Sequence, residues 1–193
     1  MTCIVGIIEK GITYIAGDSL GSNGHSGTVY RNKKVFHLDN NKEIISGYTD
    51  SYRMGQLLQF STGLFDRLKL EQEDSIERYL VNSFIPLLRD RFSDGGYEYS
   101  ENSRVHGGEF LLAYKDKLYK VQSNYSIMRS LDNYDACGGG ENCALGALKC
   151  MEGEDLTPQQ KLKKALESAS KFTLSVQPPF YMVSTADNEI TEL

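Results

Sequence analysis

Apolar residues crowd both sides of the opening segment. Along Cys3-Ile4-Val5-Gly6-Ile7-Ile8, Ile4 and Ile8 fall on one face of a strand and Cys3, Val5 and Ile7 on the other, as in a strand covered by protein on both sides. A second strand-like run, Ile12 to Asp18, follows at once, and Arg31 to Phe36 reads as a third. From residue 50 the period lengthens. Asp50 or Ser51 caps a helix whose stripe is Met54, Leu57, Leu58, Leu64, Phe65 and Leu68. Asp74-Ser75-Ile76-Glu77 reads as a capping box opening a second helix, with Ile76, Leu80, Phe84, Leu87, Leu88 and Phe92 on one face. Pro86 should kink or interrupt it.

Phe110 to Tyr114 and Lys117 to Gln122 read as a hairpin, after a polar stretch from Asp94 to Gly108 that reads as loop. Gly140 to Met151 reads as a helix leaving a glycine turn. Thr157-Pro158-Gln159-Gln160 starts another, with Leu162, Ala165, Leu166, Ala169 and Phe172 as its apolar face. Phe180 to Ser184 is a late strand, and Asn188 to Leu193 either extends or frays. Strands, helices, strands, helices and a strand predict α+β layering. A chain of 193 residues with no visible linker or repeat suits one domain, 1–193.

The first hairpin admits two registers. A three-residue loop Glu9-Lys10-Gly11 pairs Ile8 with Ile12 and places Thr2 opposite Asp18, with Cβ atoms ~5 Å apart. A two-residue turn at Lys10-Gly11 shifts the pairing by one and puts Asp18 opposite Cys3. The loop with glycine last favours the first.

Composition narrows the function. The net charge of −5 gives no electrostatic footprint for nucleic acid. No apolar run is long enough to span a membrane, and no signal peptide is visible, so a cytoplasmic protein is expected. Cys3, Cys137, Cys143 and Cys150 form no metal-ligand spacing with His25, His37 or His106, so reduced packing cysteines, and no metal or cofactor, are expected. The segment Gly21 to Gly27 is a Gly/Ser loop able to rim a cleft, without the lysine of a phosphate loop.

The chemistry lies at the front. Methionine before a small residue is the usual substrate for initiator removal, and once Met1 is gone Thr2 carries a hydroxyl and a free α-amine together. A hydroxyl needs an adjacent base, and an N-terminal amine on the same residue can be that base. In a strand, Lys33 and Lys34 point to opposite faces, so one turns inward. Beside an ionised Asp18 it keeps its charge and lowers the proton affinity of a nearby amine or hydroxyl.

Taken together, Thr2-Cys3-Ile4-Val5-Gly6, Ala16-Gly17-Asp18, Lys33-Lys34-Val35 and Ile44-Ile45-Ser46-Gly47 resemble the catalytic half of proteasome β-type subunits and the HslV-type peptidase. Tyr134-Asp135-Ala136-Cys137-Gly138-Gly139-Gly140 and the helix after it resemble the family's Gly-Ser-Gly turn. The resemblance implies a four-layer αββα sandwich of the N-terminal nucleophile hydrolase type. It implies Thr2 as nucleophile with its α-amine as base, and Lys34 paired with Asp18. It also implies the Gly47 amide as oxyanion donor, Ile45 in the specificity pocket, and Gly138, Gly139 and Gly140 as the supporting turn. The function implied is a threonine-type endopeptidase acting on unfolded polypeptides, self-associated into rings and fed by an ATPase unfoldase ring. Two departures stand out. Gly139 occupies the place of the family's serine, and Thr173 that of a later aspartate, with Ser175 near a second serine. They motivate an alternative, a ring or scaffold subunit that no longer cleaves. A further alternative, another N-terminal nucleophile amidohydrolase with a terminal cysteine, requires Cys3 to be first, one place too late.

Overall fold

Two adjacent residues with positive φ, Lys10 at 51° and Gly11 at 78°, make the first turn a two-residue one. Such a turn matches the right-handed twist of the strands it joins. It pairs β1 (Ile4–Glu9) with β2 (Ile12–Gly17) through Glu9 opposite Ile12 and Ile4 opposite Gly17. The pairing is one residue off the favoured register, and Asp18 comes opposite Cys3 rather than Thr2. The molecule is described here from a computed structural model covering residues 2–23, 25–66, 68, 76–97, 99–101 and 104–193.

The Gly/Ser stretch after β2 folds into a short hairpin, β3 (Leu20–Ser22) with β4 (Gly27–Val29). Then come β5 (Val35–Leu38) and β6 (Asn41–Tyr48). Helix α1 (Tyr52–Phe60) is capped by Ser51, whose hydroxyl accepts from the Arg53 amide. It ends earlier than its apolar stripe predicts. Ser61 caps it and Gly63 turns with φ of 79°, so Leu64 and Phe65 enter the core from a turn. Asp74 and Ser75, the first half of the expected capping box, lie outside the described residues; the helix is seen from Ile76.

Helix α2 (Ile76–Tyr79) passes through one π turn, Leu80–Phe84, into α3 (Ile85–Asp94). Pro86 accounts for the wider turn. It lacks an N–H and its ring crowds the carbonyl four residues back. The Ile85 amide reaches Leu80 O instead, and the helix is rewound there without breaking. Part of the expected loop before residue 108 forms a small hairpin, β7 (Tyr99–Glu101) with β8 (Arg104–His106).

The remainder is β9 (Phe110–Tyr114), β10 (Lys117–Val121), β11 (Ile127–Met128), β12 (Tyr134–Cys137), α4 (Glu141–Cys150), α5 (Pro158–Phe172), β13 (Tyr181–Ser184) and β14 (Ile190–Glu192). Thr157 and Gln160 form a reciprocal capping box at the start of α5. The final residues extend as β14.

Two five-stranded antiparallel sheets carry the fold, one ordered β12-β1-β2-β13-β14 and the other β11-β10-β9-β6-β5. Three apolar clusters define the layers. Ile4, Ile15, Val35, Leu111, Leu118 and Val183 pack between the sheets. Val5, Ala16, Leu148, Leu162 and Leu166 join the first sheet to α4 and α5. Phe36, Tyr48, Leu58, Phe84, Leu88 and Phe110 join the second sheet to α1, α2 and α3. The order is helix, sheet, sheet, helix, an α+β sandwich. Strand β1 feeds one core with Ile4 and another with Cys3, Val5 and Ile7, the division its two-sided apolar pattern predicts. Among the described residues, no helix is long and apolar enough to cross a membrane.

Candidate active site

The inward lysine is Lys34. Its neighbour Lys33 turns out, with its ammonium 4.8 Å from the centre of the Tyr181 ring. Lys34 is 3% exposed, and its Nζ donates to three acceptors: Thr2 Oγ1 at 2.7 Å, Asp18 Oδ1 at 3.0 Å and Leu20 O at 2.6 Å. An ammonium has three N–H bonds, so each has a partner. Asp18 is equally buried and accepts from Lys34 and the Cys3 amide (3.1 Å) on Oδ1, and from the Leu20 (2.9 Å) and Gln177 (3.5 Å) amides on Oδ2. Asp18 therefore reaches Thr2 through Lys34 and through the amide of the next residue. It is not the direct cross-strand neighbour of Thr2.

Burial raises the Asp18 carboxyl above its ordinary value and lowers the Lys34 ammonium below its own. Their mutual attraction and the bonds between them oppose both shifts. With three acceptors around one and only donors around the other, the ion pair is the state the geometry satisfies. It aims a positive charge at the Thr2 hydroxyl, which stabilises an alkoxide forming there.

Thr2 is fixed from the other side by the glycine turn after β12. The Gly140 amide donates to Thr2 O at 3.2 Å. Gly138 has φ of 92°, and a Cβ there would overlap the Thr2 carbonyl, so the turn needs glycine for both conformation and space. Gly138→Ala is expected to cost at least about 1–3 kcal/mol of stability, measured by urea unfolding, and to displace Thr2. Gly139 is exposed. Thr173 caps the end of α5. Ser175, 3% exposed, has a hydroxyl with no partner among the described residues.

Thr2 and Lys34 open onto a tight cleft of about 40 Å³, walled by Leu20–Ser22 on one side and residues 48–52 on the other. A wider groove of about 350 Å³ continues past Leu20 and Ser22 toward Leu174, Ser175 and Gln177. Cys3 turns away into the core beneath α4 and α5, and burial raises its thiol far above the ordinary range. Among the described residues no cluster of His, Cys, Asp or Glu has the geometry to hold a metal ion.

The architecture can be compared with solved structures. BPH from Thiobacillus denitrificans in complex with epoxomicin matches at TM-score 0.74 and 19% identity, covering 94% of this chain and 97% of that one. A second structure of T. denitrificans BPH matches at TM-score 0.73 and 18% identity, covering 94% of this chain and 96% of that one. Eukaryotic HslV from Trypanosoma brucei matches at 0.67 and 10%, covering 94% and 98%. This is an HslV-like fold. No family model matches the sequence, and no curated protein does. At these identities the likeness carries the fold and leaves the chemistry to the residues themselves.

Within the HslV-like fold, two expected site residues fall elsewhere. Ile45 is fully buried between the sheets with Ile4, Val35 and Leu111, and so lies in the core rather than in the cleft. Gly47 faces the same interior, where a Cβ would meet Ile4, Ile15 and Val35. Its amide points toward β9: Gly47 lies opposite Leu111, and two residues on the Thr49 amide donates to Glu109 O, so alternation turns both the same way. What lines the cleft is the segment after Gly47, Tyr48 to Tyr52, where β6 gives way to α1. The amides of Asp50 and Ser51 make no hydrogen bond to any acceptor among the described residues. The sequence marks this segment only as a helix start capped by Asp50 or Ser51, and helix N-termini present unpaired amides.

Proposed function

We propose that this chain is a threonine-type endopeptidase whose nucleophile is the Thr2 hydroxyl and whose base is the Thr2 α-amine, exposed by removal of Met1. The observation that carries the reading is the 2.7 Å bond from a buried, fully coordinated ammonium to Thr2 Oγ1. In the reaction Oγ bonds to the scissile carbonyl carbon while its proton passes to the α-amine, directly or through a water. The carbonyl electron pair moves to oxygen. The tetrahedral species collapses to an ester on Thr2, the leaving amine takes the proton, and water then hydrolyses the ester by the reverse sequence. Lys34 stays protonated and lowers the cost of the developing alkoxide. The free amides of Asp50 and Ser51 take the oxyanion role first assigned to Gly47.

The substrate enters as an extended segment. In the β3–β4 hairpin, Tyr30 N donates to Ser19 O and Asn23 N to Ser26 O. Alternation then turns the Ser22 N–H and C=O away from β4, along the rim that joins cleft and groove. That is an open edge on which a peptide backbone can pair. Self-association into rings, with an ATPase unfoldase as partner and the cytoplasm as location, completes the proposal. Exposed Phe60, Leu131, Phe172 and Leu174 are the apolar contacts that assembly would cover.

The test is intact-mass spectrometry of the Met1-processed chain with a peptide epoxyketone, the warhead class of the epoxomicin bound to the T. denitrificans protein. A stoichiometric adduct, mapped to Thr2 and absent in Thr2→Ala, is expected. A second reading, a ring subunit without cleavage, draws on Gly139, which has no hydroxyl to orient the amine. It predicts no adduct on the processed chain, together with a ring in native mass spectrometry.

A further inference from the structure

The turn that holds Thr2 is made of three glycines, and Gly140, which caps α4, has no side chain to bond the helix start. Glycine leaves the backbone its widest freedom, so a turn built this way needs an anchor outside itself. The next residue supplies one. Glu141 opens α4, its amide donates to Gly138 O at 3.1 Å, and its Oε2 accepts from Lys120 Nζ at 2.7 Å. Lys120 belongs to the other sheet. On β10, alternation sets it on the face of Leu118, which packs between the sheets, while Tyr119 and Val121 face the helices. It stands opposite Leu111, and Leu111 stands opposite Gly47, so its row across the second sheet runs toward the cleft. The Lys120 side chain is only 15% exposed. Methionine would fill that place without the cost of desolvating an ammonium.

The opposite wall of the cleft is tied to the same place. Glu109 O accepts from the amide and the hydroxyl of Thr49, at 3.0 and 2.9 Å, and Glu109 N donates to Asp50 Oδ2 at 2.8 Å. A Cβ on Gly138 would lie 3.0 Å from the Thr49 methyl, so wall and turn pack on one another and a shift in one moves the other.

We propose that Lys120 is a positioning residue for the peptidase reaction: its bridge to Glu141 fastens the glycine turn to the second sheet, and its charge holds that turn against the wall built on Glu109, so that the Thr2 hydroxyl meets the scissile carbonyl. The inference rests on the threonine-peptidase reading above. Lys120 acts through Glu141 and the turn and takes no part in the bond changes. Burial alone would lower its ammonium, but the bond to Glu141, then the charges of Glu141 and Glu109, hold it above the ordinary value, so the bridge lasts throughout the working pH range. Burial raises the Glu109 and Asp135 carboxyls, and Lys120 is the charge that most opposes the rise in each. Without Lys120, the carboxylates of Glu109, Asp135 and Glu141 repel one another across the junction of turn and wall. Exposed lysine–carboxylate pairs contribute little because water screens them; this one is largely shielded at its lysine end.

The experiment measures kcat and KM on a panel of N-blocked tripeptide aminomethylcoumarin amides, at a temperature well below the lowest Tm. It compares processed wild type, Thr2→Ala, Lys120→Met, Lys120→Arg, Glu141→Gln and the Lys120→Met/Glu141→Gln double variant. Lys120→Met is expected to lower kcat about tenfold with KM changed less than about twofold, since a small misplacement of the nucleophile slows the chemical step. Lys120→Arg should restore most of the loss. Glu141→Gln should lower kcat in the same direction, and the double variant should be no slower than Lys120→Met, because both changes remove one bridge. A lysine that only supports the fold would lower Tm and leave kcat of the folded protein unchanged. Wild-type kcat in folded Lys120→Met overturns the positioning role and leaves the peptidase reading standing. So does a loss that Lys120→Arg does not restore, a change confined to KM, or single effects that multiply in the double variant. Wild-type kcat in Glu141→Gln overturns it too, whether or not Lys120→Met folds. Turnover that is absent in wild type, or undiminished in Thr2→Ala, overturns both.

Discussion

Thr2→Ala should abolish peptide hydrolysis, lowering kcat/KM by roughly 10⁴-fold or more while leaving the protein folded. The size of the effect follows from the architecture. The cleft brings one hydroxyl to the Lys34 ammonium, and the neighbouring thiol, Cys3, is buried on the far side of β1 with its pKa driven upward, so it offers no replacement nucleophile. The hydroxyl contributes one hydrogen bond to the buried network, and its loss leaves Lys34 with Asp18 and Leu20 O as acceptors. Stability should therefore fall by only about 1–3 kcal/mol. Progress curves with a fluorogenic peptide and a urea melt read the two effects separately. Residual turnover above a hundredth of wild type would mean that another group attacks.

The second large effect belongs to the ion pair. Lys34→Met keeps the length of the side chain but leaves the Asp18 carboxylate buried with backbone amides as its remaining partners. Removing one partner of a buried pair typically costs about 3–5 kcal/mol, so unfolding should occur at markedly lower urea, and turnover should be lost with the charge. The pH profile gives a finer test. The proposed mechanism requires Lys34 protonated, and its folded pKa lies below the ordinary lysine value of ~10.4. The alkaline limb should accordingly fall before that value.

The sign for stability is opposite. A lysine whose folded pKa is depressed favours the folded state increasingly as pH rises from the folded to the unfolded pKa. The alkaline loss of activity should thus occur without any loss of stability from this group. Asp18→Asn removes the anion that raises Lys34, and should move the alkaline limb to lower pH. A limb that stays in place in Asp18→Asn would show that Lys34 is not the titrating group. The acid limb should lie below the ~8 of a free α-amine, because a neighbouring ammonium disfavours a second positive charge.

The meeting of Thr2, Asp18 and Lys34 was legible in the sequence because each lies within a few residues of a strand end, where alternation and local chemistry place side chains with little outside information. The four-layer order was legible through the resemblance, and the α+β class through the succession of strand-like and helical segments. Gly47 and Ile45 were misplaced because their facing depends on the phase of β6 relative to β5. A register shift between His37 and Leu38 and two positive-φ residues, Asp39 and Asn40, set that phase. The Asp39-Asn40 pair suits such a turn, but the register shift beside it has no side-chain signature. The hairpin register failed on a similarly small point: Lys10 accepts a left-handed conformation usually left to Asn, Asp or Gly.

Among the described residues, the contacts that fix Thr2 come from farther along the chain. Its carbonyl is held by the Gly140 amide, its hydroxyl by Lys34, and the peptide leaving it by Asp18. An aminopeptidase clipping the residue in front would disturb none of these anchors. Latency in such a protein would be a matter of one covalent bond, with the dormant and competent forms sharing a single shape, so that awakening needs no refolding and cannot be undone by relaxing the fold.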